Sequence, residues 1–385
     1  MSGQSAVNIA NQIYIALSVE GSGLTSGTNL INTISVHENL ATLVPVMQFK
    51  FNDRGMNLVR DYALTEGTKV EISLGKSQDD AIPRTFRVFG SRQAPSIDGP
   101  MMFMTFILDC PKYVTESYSG GIKGNSSDVI SQIASDCGLE ADVESTQDEM
   151  TWLSFGRTRA SFSQDVAMHG YASQNSSLAK CLTSTKKLRY KDLFKQLQES
   201  PIITFAQNDP GDGRDILLVR ESRDVSNSGV MNSWLNYGWN YTSHSLTGKS
   251  NKIDKFEVKS SDNYLPINSE VKKEVGDKAR VEHNRKWDCR NTHENYNQAY
   301  YQNMRGLALF SEKIHILVED PSGVEVFDSV ELEMTDSDGE KGKNTGSYIV
   351  SAKVIYISNG SAYYEKLELI RPSVRQAGNT KLVGS

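Results

Sequence analysis

Two stretches far apart in this chain carry one pattern, and that pattern limits the fold more than any other feature. Gly67-Thr-Lys-Val-Glu-Ile-Ser-Leu74 and Asp328-Ser-Val-Glu-Leu-Glu-Met334 each hold a short alternating strand. Each is followed by a polar loop, a Phe- or Tyr-led strand and a long final strand. Apolar residues at every second position turn one face to a core and the other to water. The repeated order therefore predicts two similar small β-modules in one chain.

The first module reads as strands at Ile13 to Leu17, Leu43 to Phe51, Val70 to Leu74, Phe86 to Phe89 and Met101 to Leu108. Met47, Phe49 and Phe51 share one side of their strand. The last run is apolar on both sides, so it is expected to be covered on both faces. Gly21 to Gly27 has glycines but no Lys-Ser/Thr to hold a phosphate, and reads as a hairpin loop. The second module opens at Pro201 to Phe205, passes the turn Asn208 to Gly213, and continues through Ile216 to Val219. Its strands resume at Ile314 to Val318, Val330 to Met334, Tyr348 to Tyr356 and Tyr363 to Ile370. Between Val219 and Ile314 the chain turns polar, and Tyr296, Tyr300, Met304 and Leu307 suggest a returning helix.

The middle of the chain has a different period. Val129, Ile130, Ile133, Ala134 and Cys137 fall at helical spacing ahead of Gly138. After an acidic loop come Trp152 and a second helix carrying Phe162, Val166 and Ala167, with Ser161 or Ser163 as its expected cap and Gly170 as its end. Tyr171 follows, and Leu188 and Tyr190 alternate as in a strand.

A length of 385 residues implies two or three domains. The net charge of −6 argues against a protein held to nucleic acid by phosphate contacts. It is compatible with a duct through which DNA slides. No apolar run is long enough to span a bilayer, so no membrane insertion is expected. Met1 to Ala6 has no secretory character, which predicts folding in a cytoplasm. Cys110, Cys137, Cys181 and Cys289 lack paired spacing and read as buried thiols.

The order of the middle segment (helix, Gly, acidic loop, Trp152, Phe162 helix, Gly170-Tyr171, then Leu188-Arg-Tyr190-x-Asp192) resembles the insert domain of hub proteins in contractile phage-tail baseplates. That family also takes in the N-terminal half of VgrG spikes and the late control proteins of P2-like phages. The resemblance covers about residues 40 to 372. It implies an α+β, mostly β fold: two small antiparallel tube-type β-barrels with an inserted α+β domain split in sequence. The expected divisions are 1–110 for the first barrel, 111–200 for the first part of the insert, and 201–221 with 304–372 for the second barrel. Residues 222–303 form the rest of the insert, and 373–385 a loose tail.

The resemblance further implies a homotrimer in the virion baseplate, assembled in the host cytoplasm. Two barrels in each of three chains place six similar units in a ring, so a trimer can meet a hexamer. The implied partners are the trimeric tail spike protein and the tail tube or tube-initiator protein, together with baseplate wedge and tape measure proteins. Genomic DNA is a partner only in transit.

No catalytic, cofactor-binding or metal residue is assigned. Six histidines occur, at 37, 169, 244, 283, 293 and 315. His283, Cys289 and His293 have no standard zinc spacing. His169 reads as a helix-end residue favoured by the backbone dipole. No Gly-x-Ser-x-Gly elbow fixes a nucleophile. The acidic stretches Asp136 to Glu149 and Glu331 to Glu340 read as solvated loops, and Asp336 to Glu340 as a hairpin loop without the frame of an EF-hand. Lys186, Lys187 and Arg189 are too few for a nucleic-acid patch. The competing readings are a cell-wall hydrolase and a glycan binder using Trp234, Trp239 and Tyr241.

Overall fold

A computed structural model describes residues 13–20, 22–23, 31–52, 64–95, 101–174, 176–208, 213–227, 239–246, 253–258, 280–284, 292–293, 295–296, 302, 312–335, 341–342, 344–358 and 362–372. The first module holds β1 (Tyr14–Val19), β2 (Ser22–Gly23), β3 (Ile31–Asn39), β4 (Val46–Asn52), β5 (Lys69–Gly75), β6 (Ile82–Ala94) and β7 (Met101–Leu108). They pair in the order β3-β4-β7-β6-β5-β1-β2. The alternation that marked β4, β5 and β7 in the sequence is the alternation of burial: Met47, Phe49, Phe51, Val70, Ile72, Leu74, Met104 and Phe106 fill the interior.

Two expectations about this module are corrected. Strand β3 was not foreseen at all. Strand β7 buries only one face fully: Met102, Met104, Phe106 and Leu108 are buried, while Met101, Phe103 and Ile107 are half-buried. The outer face is lidded instead by cations, with the Arg92 guanidinium 4.8 Å and the Lys50 ammonium 5.8 Å from the Phe103 ring centroid.

A helical layer follows. It contains α1 (Pro111–Val114), β8 (Ser117–Gly124), α2 (Ser126–Asp136), β9 (Glu140–Val143), β10 (Met150–Thr158), α3 (Arg159–His169), β11 (Leu178–Leu182), β12 (Lys187–Asp192) and α4 (Leu193–Gln198). β8 and β10 form a hairpin, and β9 joins β12 in parallel beside β11. Helix α2 buries Val129, Ile130, Ile133 and Ala134. It stops where Gly138 takes φ +68°, so that its own N–H and that of Leu139 reach back to Ser135 O (3.1 Å) and Ala134 O (2.9 Å). Helix α3 is capped by Thr158, whose hydroxyl accepts from Ser161 N–H at 3.2 Å, and not by Ser161 or Ser163. Ser163 is buried, with its hydroxyl 2.8 Å from that of Tyr113.

The second module holds β13 (Thr204–Ala206), β14 (Ile216–Asn227), β18 (Glu312–Val318), β19 (Ser329–Glu333), β20 (Gly346–Ser358) and β21 (Ala362–Arg371). They run in the order β14-β18-β21-β20-β19-β13. β13 also bonds β14, which closes a six-stranded barrel, and it lies parallel to both its neighbours while the other pairings are antiparallel. β14 runs eight residues beyond the expected end at Val219. Glu331 and Glu333 lie on β19, half-buried, and not in a solvated loop.

Between β14 and β18, the backbones of β15 (Trp239–Leu246), β16 (Ile253–Val258) and β17 (Arg280–Asn284) form a separate three-stranded sheet. Expectations for the side chains of Trp234, Trp239, Tyr241 and Trp287, for Cys289, for Tyr300, Met304 and Leu307, for Asp336 to Glu340 and for the tail 373–385 lie outside the described residues. So do most of the loop at Gly21 to Gly27 and residues 209–212 of the turn near Asn208. Thr335 and Lys341 pair in an isolated antiparallel bridge.

Candidate functional site

The two modules share more than strand order. Taking β1, β3, β4, β5, β6 and β7 against β13, β14, β18, β19, β20 and β21, chain order and sheet order coincide throughout. Two of their irregularities coincide too, while a further bulge between Asp224 and Ser226 on β14 has no counterpart on β3. A bulge between Val88 and Gly90 on β6 has its counterpart between Val350 and Ala352 on β20. One between Ile31 and Thr33 on β3 matches one between Val219 and Glu221 on β14. A bulge inserts one residue, re-aims the strand and increases its twist, so matched bulges mean matched curvature.

Superposed on those bulges, the interiors correspond position by position. Val70 and Ile72 stand where Val330 and Leu332 stand, Phe86 and Val88 where Tyr348 and Val350, and Met104 and Phe106 where Leu367 and Leu369. All are buried.

One seam joins the modules into a single thirteen-stranded sheet. Residues Thr33 to Asn39 of β3 pair antiparallel with Ala352 to Ser358 of β20. Lys353 and Glu38 are directly opposite across it. Around them lies a buried polar knot to which both modules and the helical layer contribute. Glu365 accepts from Lys353 Nζ at 3.0 Å, Tyr363 Oη at 2.6 Å and Ser322 N–H at 3.1 Å, as well as from the Ser322 hydroxyl. Burial alone would raise the Glu365 carboxyl, but Lys353 and these hydrogen bonds hold it below the usual carboxylate range.

On the other side of the seam Ser184 N–H donates to Glu38 at 2.9 Å, and Arg84 Nε donates to Ser184 Oγ at 2.8 Å. Burial pulls the Arg84 guanidinium down, and Glu38, Tyr363 and Glu365 oppose that shift. A charge group buried this completely is costly to break and fixes one arrangement of the parts.

The helical layer is tied down by residues that the sequence pattern singled out. Arg189 is buried; it donates from Nε to Asp142 at 2.9 Å and from Nη1 to Val326 O at 2.6 Å and Asp328 at 2.9 Å. Lys187 pairs with Glu325 at 3.1 Å. The basic cluster therefore clamps β12 to the second module.

Asp148, expected in a solvated loop, is 1% exposed. It accepts from Ser126 N–H (2.7 Å), Ser126 Oγ (2.6 Å), Thr146 Oγ1 (2.8 Å) and Tyr171 N–H (2.6 Å), joining the start of α2 to the Gly-Tyr step after α3. Ser126 Oγ is also 3.2 Å from the Tyr190 hydroxyl. A Cβ at Gly170 would collide with that hydroxyl, so only glycine fits there.

Residues from the polar stretch after β14 return to this layer. His293 Nε2 is 3.0 Å from His169 O, and the Tyr296 ring stacks on His169 at 4.6 Å between centroids. Gln302 takes Leu178 N–H at 3.0 Å and donates to Gly170 O.

The described histidines pack or pair with neighbours. His37 lies 2.8 Å from Ser35 Oγ with its pKa lowered by burial, His169 bonds Asp165 O at 2.8 Å, and His315 lies 3.2 Å from Glu368. Among the described residues no group of three or more His, Cys, Asp or Glu is arranged to hold a metal. Burial pushes the Cys110 thiol up to about 12 and Cys137 to about 11, which keeps both as thiols at neutral pH. The described polar groups thus tie the two modules and the helical layer together through the seam.

No protein-family model and no curated protein sequence matches the chain. Solved structures do. A tail protein from Neisseria meningitidis is 13% identical with a TM-score of 0.56, over 94% of this chain and 97% of that one. The 43 kDa tail protein of prophage MuSo2 from Shewanella oneidensis is 11% identical with a TM-score of 0.59, over 94% and 99%. A component of the E. coli type VI secretion system is 8% identical with a TM-score of 0.51, over 95% and 80%; it is described as structurally similar to the T4 bacteriophage tail proteins gp27 and gp5. At these identities the likeness is one of fold, and it is the fold that the resemblance implied.

Proposed function

We propose that three copies of this chain form the central hub of a contractile phage-tail baseplate, a structural adaptor between a hexameric tail tube and a trimeric spike. Residues 1–110 and 201–227 with 304–372 supply two interchangeable ring positions per chain. Residues 111–200 and 228–303 form one inserted domain, a grouping supported by the contacts of His293, Tyr296 and Gln302; the boundary moves from 221 to 227 because β14 stays paired with β18 to its end. The tail 373–385 stands outside both. The observation that carries the reading is the coincidence of strand order and bulges between the modules, because units of equal curvature can occupy equivalent places around an axis.

The role is mechanical, with no reaction assigned. Buried inter-subunit surface holds the ring, the lumen passes the genome, and the spike plugs it. The tail tube or its initiator binds one face and the trimeric spike the other, with wedge and tape measure proteins adjoining, in a virion component assembled in the host cytoplasm. The membership of the fold, which includes phage tail proteins and a secretion-system component, supports a place in such a machine.

Light scattering on the purified chain tests this. A particle of three times the 42.7 kDa chain mass is expected. A mass of one chain at every concentration would sink the proposal.

A further inference from the structure

Acidic residues outnumber basic ones 47 to 41 in the chain, but one run of the sheet is almost free of them. Among the five adjacent strands β20, β3, β4, β7 and β6 the single carboxylate is Glu38, which is buried and held by Ser184. The same strands carry Lys50, Arg87 and Arg92 on the outward face. Asp109 matches Arg87 at 2.6 Å. Lys50 and Arg92 pair with no carboxylate among the described residues, and the Phe103 ring lies between them.

These two cations belong to a straight row. Ser358, Thr33, Lys50, Phe103 and Arg92 stand directly opposite one another in turn across β20, β3, β4, β7 and β6. Strands about 4.8 Å apart make the row about 19 Å long. Its first four members are half-buried and Arg92 is exposed, so the row opens to solvent. On the second module the outward face matches its charges internally, with Glu368 taking His315 at 3.2 Å and Lys313 at 3.6 Å. A cation already matched to a carboxylate has little attraction left for a partner, whereas an unmatched pair on an acid-free surface draws anions.

We propose that this row binds the sugar-phosphate backbone of DNA, with Lys50 and Arg92 on phosphate oxygens and the Ser358 and Thr33 hydroxyls beside them. The identity of the anion rests on the hub reading, which sends a genome through the lumen. Arg92 presents a planar fork that fits two phosphate oxygens, and Lys50 a mobile point charge. Cations and hydroxyls of this kind position a duplex without reading its bases, so every sequence is met alike. Two phosphate contacts per chain are weak and fall with salt. DNA held this loosely steps from one contact to the next and is not trapped.

Fluorescence anisotropy of a short labelled duplex of mixed sequence, titrated with the full chain, tests the row. Raising salt from about 50 mM to 200 mM is expected to weaken the parent about tenfold for each chain in contact, the drop that two phosphate contacts imply. K50Q/R92Q is expected to lose about tenfold at the lower salt and to flatten the salt dependence. Neither side chain is fully buried, so the variant is expected to keep the parent's mass in light scattering. K50R/R92K, which keeps both charges, and K123Q, which removes an exposed cation from the helical layer, are expected to bind as the parent does. Unchanged binding in K50Q/R92Q, an equal loss in K123Q, or a parent that does not bind the duplex at the lower salt overturns the proposal. So does displacement of the duplex by poly-glutamate at equal charge, which assigns the row to an acidic protein segment. In each of these cases a particle of three chains leaves the hub reading standing. A parent that stays single at all concentrations sinks the hub reading, while a loss of duplex binding confined to K50Q/R92Q still supports the row.

Discussion

The two modules set their six strands in one order and share two bulges, yet they finish differently. In the second, the short strand β13 lies parallel between β19 and β14 and shuts the barrel. In the first, β1 runs antiparallel to β5, and no strand pairing joins it to β3 among the described residues. The fillings differ accordingly. Phe49, Phe51 and Phe106 occupy places held in the second module by Ile316, Val318 and Leu369. At these three places aromatic rings fill the first module and aliphatic side chains the second, which adds buried charge beside its own Phe205 and Tyr348. What both retain is curvature and edge geometry, the properties a ring position needs; the interior is free to vary as long as volume is satisfied.

That contrast can be attacked where it is largest. Phe106→Ala is expected to cost about 3–5 kcal/mol in denaturant unfolding, and more than Leu369→Ala at the corresponding place. The reverse ranking would mean that aromatic filling is not what sustains the open module. Lys353→Met leaves the Glu365 carboxylate buried without its cation, with Ser322 and Tyr363 still donating, and is expected to cost about 3 kcal/mol, the low end for such a break. Its counterpart Ser91→Met, at an exposed position, is expected to stay within about 0.5 kcal/mol in the single chain. Equal effects would erase the distinction between the internal seam and the edge of β6.

Acid sharpens the same distinction. Burial opposes ionisation of Glu365 and Glu368, but hydrogen bonds and neighbouring cations hold both folded-state pKa values below the ordinary 4.5. Their contribution is therefore present above about pH 4.5 and lost as pH falls through the lower folded values. A thermal-unfolding series from pH 6 to 3 is expected to show that loss in the parent and a flatter profile in E365Q/E368Q; parallel profiles would contradict it. The smallest effect belongs to the surface. Arg214 and Glu333 pair at 2.8 Å, half-exposed, and Glu333→Gln is expected to cost under about 1 kcal/mol in the same assay.

Much of this frame was legible in the sequence because period-two alternation is a direct image of a half-buried strand. Val70-Glu-Ile72 and Val330-Glu-Leu332 carry the repeat in the sequence itself. Strand β3 was missed for a physical reason: its bulge between Ile31 and Thr33 puts Ile31 out of phase with Ile34 and Val36, so the alternation breaks where it would be noticed. The end of β14 was missed because an edge strand carries charge; Arg220, Glu221 and Arg223 read as loop when the backbone is extended. Asp148 gave no signal, since in sequence a buried carboxylate looks the same as the exposed Glu149 beside it until its four donors are seen. The edges of β6 and β14 have no sequence signature of their own. They show only in the correspondence of the bulges between the two modules.

The whole account stands on the modules being alternate occupants of equivalent positions, and end-on electron micrographs of the assembled particle address that directly. Averaged views are expected to show six lobes of alternating strength around a central opening, with three-fold symmetry. Three lobes, a two-fold outline or a ring without an opening would contradict it.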